Sequence, residues 1–130
     1  MNFNNLEVIG ETNEPSCYMK IQYCGGWGYR PHCTTFKNKL DELMPDNKIQ
    51  FQLAADPGVT GNFECTIFND IGLSDGETPV FSKQAKGCFP FQKEEEMVAV
   101  CNILNDKIKK WDVLALDSII LIPYLTSNEL

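Results

Sequence analysis

The sequence is short of positive charge: 11 Lys and Arg stand against 18 Asp and Glu, a formal net charge of −7. Phosphate backbones and anionic lipid surfaces are bound through Lys and Arg, so this balance, with no basic cluster along the chain, argues against both as partners. Long hydrophobic runs are also missing. The most apolar stretch, residues 113–125, is interrupted by Asp117 and Pro123 and falls short of the roughly 20 residues that span a bilayer. The first seven residues carry neither a positive flank nor an apolar core, so they do not read as a secretion signal. A soluble cytoplasmic protein with no membrane span is expected. Histidine is nearly absent. His32, the single one, sits with Cys24 and Cys33 at a spacing that suits no zinc site, and no metal is expected.

What the chain does have is enough apolar residue, 43% of 130, for one compact core and too little length for two comfortable domains. Residues 1–16, rich in Asn, Glu and Thr, read as an N-terminal extension, 17–111 as the domain, and 112–130 as a C-terminal extension. Alternation over 18–23 predicts a strand that stops at Gly25-Gly26. Pro31 suits the first turn of a helix, and Cys33, Phe36, Leu40 and Leu43 mark its apolar face up to Pro45. Ile49, Phe51 and Leu53 alternate with Gln50 and Gln52 as a second strand. Asp56-Pro57-Gly58 is a turn. Residues 62–68 and 79–83 read as two more strands, with a loop over 86–91. Residues 93–111 form a closing helix, with Met97, Val100, Cys101, Leu104, Ile108 and Trp111 as its stripe. Glu94-Glu95-Glu96 suits the positive end of that helix's dipole and reads as a solvated start.

The order β-α-β-β-β-α predicts an α/β fold: a two-layer, thioredoxin-like sandwich on a mixed four-stranded sheet. A right-handed crossover puts the first helix on one sheet face, and the closing helix shares that face. The other face then calls for cover, for which 113–125 is the candidate, either folding back or self-associating; a monomer or weak dimer is expected.

Six cysteines remain to be placed. Without a secretion signal most are expected to be reduced. Cys33, Cys65 and Cys101 fall on apolar faces and read as core, while Cys17 lies away from the loop end of its strand. Cys33 and Cys88 are retained as secondary thiols, Cys88 as a surface cysteine in a loop without apolar periodicity. Cys24 differs. It sits where a first strand meets a first helix, a place where unpaired N–H groups and the helix dipole favour thiolate. Gly25 and Gly26 permit a tight turn there, and Arg30 offers positive charge. Missing, however, is the second sulfur that a Cys-x-x-Cys loop carries three residues on. Trp27 holds that place.

The run Tyr23-Cys24-Gly25-Gly26-Trp27-Gly28-Tyr29-Arg30-Pro31 closely resembles the active loop of selenoprotein W-type proteins, the Rdx family, whose pattern is Tyr-Cys-Gly-x-Sec-Gly-Tyr-basic or its Cys-x-x-Cys form. Thr60-Gly61-Asn62-Phe63-Glu64, Val80-Phe81-Ser82-Lys83 and Gly87-Cys88-Phe89-Pro90 resemble further family segments in the same order. The resemblance implies thiol- or selenol–disulfide exchange by a redox pair at positions 24 and 27, with glutathione or protein disulfides as substrates and no bound cofactor. It implies substrate-positioning roles for Gly25, Gly26, Gly28 and Tyr29 and for the facing segment Val59-Thr60-Gly61. It also keeps open a binding module acting on a signalling partner such as a 14-3-3-type adaptor. Tryptophan (UGG) lies one base from the selenocysteine codon (UGA), so selenocysteine is the expected native residue at 27. With Trp27 as written, only one-cysteine chemistry of Cys24 remains, such as a mixed disulfide.

Overall fold

A computed structural model describes residues 6–116, with side chains described through residue 108. Five strands and three helices follow one another: β1 (Glu7–Ile9), β2 (Cys17–Cys24), α1 (Arg30–Leu43), β3 (Ile49–Asp56), β4 (Phe63–Phe68), β5 (Thr78–Ser82), α2 (Lys83–Lys86) and α3 (Glu94–Leu116), with a 3₁₀ turn at Pro90–Gln92 before α3. The strands form one mixed sheet in the order β1-β3-β2-β4-β5. Only β2 and β3 run parallel, joined through α1; every other neighbour is antiparallel. This is the thioredoxin-like α/β arrangement expected, on five strands rather than four. The added strand comes from the stretch set aside as an extension, where Glu7, Val8 and Ile9 pair with Leu53, Gln52 and Phe51. Three residues carry too little periodicity to read as a strand alone; the free edge of β3 supplies their hydrogen bonds.

Register decides what is core. Cys17, Met19, Ile21 and Tyr23 on β2 lie beside Ile49, Phe51 and Leu53 on β3 and beside Phe63, Cys65 and Ile67 on β4. These side chains pack with Cys33, Phe36 and Leu40 of α1 and Met97, Val100 and Leu104 of α3. Phe36 meets Phe51 and Phe63 edge-on, with ring centroids 6.5 and 6.0 Å apart. Leu43, expected on the same helix face, is 47% exposed, because α1 ends there: Met44 N–H closes on Leu40 O, and Pro45 follows.

The expectation that the opposite sheet face needs apolar cover changes. That face carries Tyr18, Lys20, Gln22, Gln50, Gln52, Glu64 and Thr66, which are polar for the most part. Gln50 and Gln52, the polar residues of that alternation, are buried and hydrogen-bonded. Gln52 Nε2 donates to Ile71 O from the β4–β5 loop at 3.1 Å, and Gln50 Nε2 to Gln52 Oε1 at 3.4 Å. Of the stretch 113–125, the first four residues continue α3 five residues beyond the expected helix end at 111. The rest of that stretch, and the expected cover or self-association, lie outside the described residues, as does the side chain of Trp111. Among the described residues no helix is long and apolar enough to cross a membrane.

Candidate functional site

Cys24 is the last residue of β2, and the parallel ladder sets it beside Asp56, the last residue of β3. Beyond these two strand ends the chain makes two facing turns, 25–29 leading into α1 and 57–62 leading into β4. Backbone bonds tie them together. Gly26 N–H donates to Gly58 O at 2.8 Å and Cys24 N–H to Asn62 O at 2.9 Å. The approach is so close that Gly26 has no room for a side chain: a Cβ there would lie 2.6 Å from the Gly58 carbonyl carbon. Gly28 is needed for another reason, a left-handed φ of +68° with open space around it.

The Cys24 sulfur is enclosed between these turns. Thr60 N–H donates to Sγ at 3.3 Å, and the thiol itself reaches Gly58 O at 3.9 Å. Cys24 is wholly buried, yet the residues touching its sulfur, Gly58 and Thr60, are exposed, so it lies just beneath the surface. Desolvation pushes the thiol up, but the N–H groups of Gly61, Thr60 and Trp27, with the Thr60 hydroxyl, outweigh it and hold Cys24 below its ordinary value. Thr60 contributes because it is not a proline and keeps its N–H.

A second layer holds the Thr60–Asn62 segment from both sides. Asp56 Oδ2 accepts from Thr60 Oγ1 at 2.7 Å and Asn62 Nδ2 at 2.8 Å, and its Oδ1 accepts from Gln22 Nε2 at 2.8 Å. Burial pushes the Asp56 carboxyl up, but the bonds from Thr60, Asn62 and Gln22 and the charge of Lys20 bring it below the usual carboxylate range. From α2, Gln84 Nε2 donates to Asn62 Oδ1 at 2.9 Å and Thr60 O at 3.3 Å, and Lys83 Nζ donates to Gly61 O at 3.3 Å. Sequence reasoning missed Gln22, Asp56, Asn62, Lys83 and Gln84. Asp56 read only as a turn residue; its place beside Cys24 follows from the β2–β3 register.

The expected site residues fall into two groups. Cys24, Gly25, Gly26, Trp27, Gly28, Tyr29, Val59, Thr60 and Gly61 come together around the two turns, with the Trp27 ring lying against Gly61. The Thr60 N–H and the Thr60 and Gly61 carbonyls are already engaged within the chain. Cys33 and Cys88, by contrast, are part of the hydrophobic core, which Cys24 is not. Burial pushes Cys33 up to about 12, and its thiol reaches Tyr29 O, 3.9 Å away. The surface location expected of Cys88 is corrected: Gly87, left-handed at φ 75° at the end of α2, turns the chain so that Cys88 enters the core. Arg30 does not serve Cys24 as its position suggested. Its Nε and Nη2 grip both carboxylate oxygens of Glu7 on β1, and its Nη1 bonds Thr34. His32 is half-buried; its ring centroid is 4.3 Å from Phe89 and 5.6 Å from Tyr29. Among the described residues no group of His, Cys, Asp and Glu is placed to hold a metal ion.

Fold and site together define a thioredoxin-like domain with a poised thiol at the junction of its central strand and first helix. The chain belongs to the Rdx family, whose model matches residues 18–97, a span that holds the loop, the facing segment and the start of α3. This makes it a thioredoxin-like redox protein of the selenoprotein W type. Comparison with curated protein sequences finds no match.

Proposed function

We propose that this protein carries out thiol- or selenol–disulfide exchange at Cys24 and position 27, in the cytoplasm, with glutathione or protein disulfides as substrates, and that residue 27 is natively selenocysteine. The observation that carries the reading is the Thr60 N–H on the Cys24 sulfur at 3.3 Å, part of a donor set that favours thiolate. With selenium at 27, the selenolate attacks one sulfur of a disulfide and expels the other as thiolate. Cys24 thiolate then attacks the selenium of the mixed intermediate, closing a Cys24–Se bond and releasing the second thiolate. With Trp27 the reaction stops after one exchange: Cys24 thiolate attacks glutathione disulfide, forming Cys24–S–SG and releasing one glutathione thiolate. Because Cys24 is wholly buried, that attack requires one of the two turns to move aside.

The test is Trp27→Cys. Cys24 is titrated by alkylation against pH, with peptide mapping by mass spectrometry, and the glutathione thiol released per chain from glutathione disulfide is measured in both forms. The reading expects a Cys24 pKa below the ordinary value near 8.5, a mixed disulfide with one glutathione released in the Trp27 form, and, in the Trp27→Cys variant, a closed disulfide between Cys24 and the introduced thiol with both glutathiones released. An ordinary pKa with no gain in the variant overturns it. A natural gene with UGG at codon 27 and no selenocysteine-insertion element overturns the selenocysteine assignment alone.

One observation favours a second reading, a thioredoxin-like binding module acting on a signalling partner such as a 14-3-3-type adaptor. Trp27 is 57% and Val59 60% exposed, one on each of the two facing turns, and exposed tryptophan is favoured in protein interfaces. Trp27→Ala abolishing partner capture while Cys24→Ser leaves it intact would support this reading over the first.

A further inference from the structure

We propose that Asp56 is the positioning residue of the Cys24 site: its carboxylate fixes the Thr60–Asn62 segment so that the Thr60 N–H stays on the Cys24 sulfur. The inference rests on the reading of Cys24 as the reacting thiol. Asp56 touches no substrate and acts through Thr60.

The geometry leaves the carboxylate little other purpose. It is 6% exposed, and it accepts three side-chain hydrogen bonds of 2.7–2.8 Å, from three separate points of the chain: Gln22 on β2, and Thr60 and Asn62 on the facing turn. All three partners are neutral. A buried carboxylate that forms no ion pair with them has been placed for its acceptor capacity, since an ionised carboxylate offers about four acceptor sites and carries no donor of its own. The turn needs that anchor. Between Asp56 and Asn62 it carries two left-handed glycines, Gly58 at φ 76° and Gly61 at φ 71°, so its own backbone imposes little order. Thr60 is itself exposed, and its N–H reaches the sulfur because its hydroxyl, on the same residue, is pinned to Asp56. Gln84 and Lys83 hold the carbonyl side of the segment, at Thr60 O and Gly61 O, while Asp56 holds the Thr60 hydroxyl.

The charged groups facing the segment are Asp56 and Lys20 from the sheet, Glu64 from β4 and Lys83 from α2. Glu64 is held by Ser82 Oγ and Gln84 N–H. This arrangement makes the test a matter of sign. A carboxylate acting on the sulfur simply by its charge would disfavour thiolate, so its neutralisation would lower the Cys24 pKa. A carboxylate acting by position favours thiolate, so its neutralisation raises it. In Asp56→Asn the amide offers one acceptor oxygen and an N–H₂ group that faces at least one of the three donors, so the anchor breaks while volume is kept.

The experiment is alkylation of Cys24 against pH, read on the Cys24 peptide by mass spectrometry, in the wild-type chain, Asp56→Asn, Thr60→Val and the double variant. Near-ultraviolet circular dichroism reports folding. The positioning role expects Asp56→Asn to raise the Cys24 pKa by about one unit, roughly tenfold less thiolate at neutral pH. Thr60→Val is expected to raise it at least as far, because it also removes the hydroxyl that itself favours the thiolate, and the double variant to shift no further than Thr60→Val, because Asp56 acts through Thr60. A fall in pKa, no change, or additive shifts overturn the proposal. Should Asp56→Asn fail to fold, Thr60→Val decides: an unmoved pKa overturns. The wild-type value tests the reading of Cys24 separately. An ordinary wild-type pKa sinks the reactive-thiol reading, whereas the difference between wild type and variants tests Asp56.

Discussion

Replacing Gly26 with alanine tests the closed geometry around Cys24 most directly. The new Cβ would lie 2.6 Å from the Gly58 carbonyl carbon and from Val59 Cγ2, and 2.7 Å from Gly58 O. Two of these are backbone atoms, so no rotamer change relieves the clash. To reach 3.4 Å, the near limit of ordinary contact, the two turns must part by about 0.8 Å. The Gly26 N–H to Gly58 O bond, now 2.8 Å, then stretches beyond hydrogen-bonding range. Loss of that bond costs about 1 kcal/mol and the strain of overpacking about 1–3 kcal/mol. A total of about 2–4 kcal/mol corresponds to a fall in melting temperature of roughly 10 °C for a domain of this size. The same parting uncovers the sulfur. If about 2 kcal/mol of the cost falls on local opening, Cys24 alkylation rises roughly 30-fold at about pH 9.5, where thiolate is abundant in both forms. Thermal melting by circular dichroism and Cys24 alkylation by mass spectrometry check both figures. The matched control is Gly28→Ala, whose Cβ meets nothing within 4 Å but whose φ is +68°. It is expected to cost only about 1 kcal/mol of conformational strain and to leave Cys24 covered. Melting within about 2 °C of wild type together with unchanged alkylation in Gly26→Ala would refute the close approach of the two turns.

Further outcomes follow from the charges and thiols. Cys17 and Cys33 are each pushed up to about 12 by burial, so their stabilisation is complete below the unfolded thiol value near 8.5 and is lost as pH rises towards 12. At about pH 10 each costs about 2 kcal/mol, so melting temperature falls steeply from pH 8 to 10, and less steeply in Cys33→Ala. Cys24 is lowered and works the other way: its contribution is present above the unfolded value and is lost as pH falls through the folded one. Arg30→Ala removes an ion pair whose side chains are 36% and 50% exposed, so it is expected to cost about 0.5 kcal/mol or less in urea unfolding and to vanish in high salt. Because Arg30 is engaged by Glu7, the same variant is expected to leave the Cys24 titration where it is; a clear upward shift would restore Arg30 to the site.

The local periods along the chain determined most of its secondary structure. Alternation at 49–53 and 62–68, the three-and-four spacing of Cys33, Phe36 and Leu40, and Pro31 and Pro45 at the helix limits are signals that neighbouring residues settle among themselves. The position of Cys24 between strand and glycine turn was legible for the same reason, and the family motif made the loop recognisable. Pairings between distant segments were not legible. β1 exists because β3 has a free edge, and three residues announce nothing of it. The polar face of β3 keeps Gln50 and Gln52 buried because a loop 19 residues along from Gln52 supplies a carbonyl, which no alternation pattern encodes. The fate of each thiol likewise depended on packing: Cys88 entered the core through the turn at Gly87. Arg30 was drawn to Glu7, 23 residues upstream, rather than to the sulfur six residues before it. Above all, sequence named Cys24 but not what tunes it. The N–H of Thr60 and the carboxylate behind it lie 36 and 32 residues away along the chain, brought to the sulfur only by the parallel register of β2 and β3 and the turn that follows.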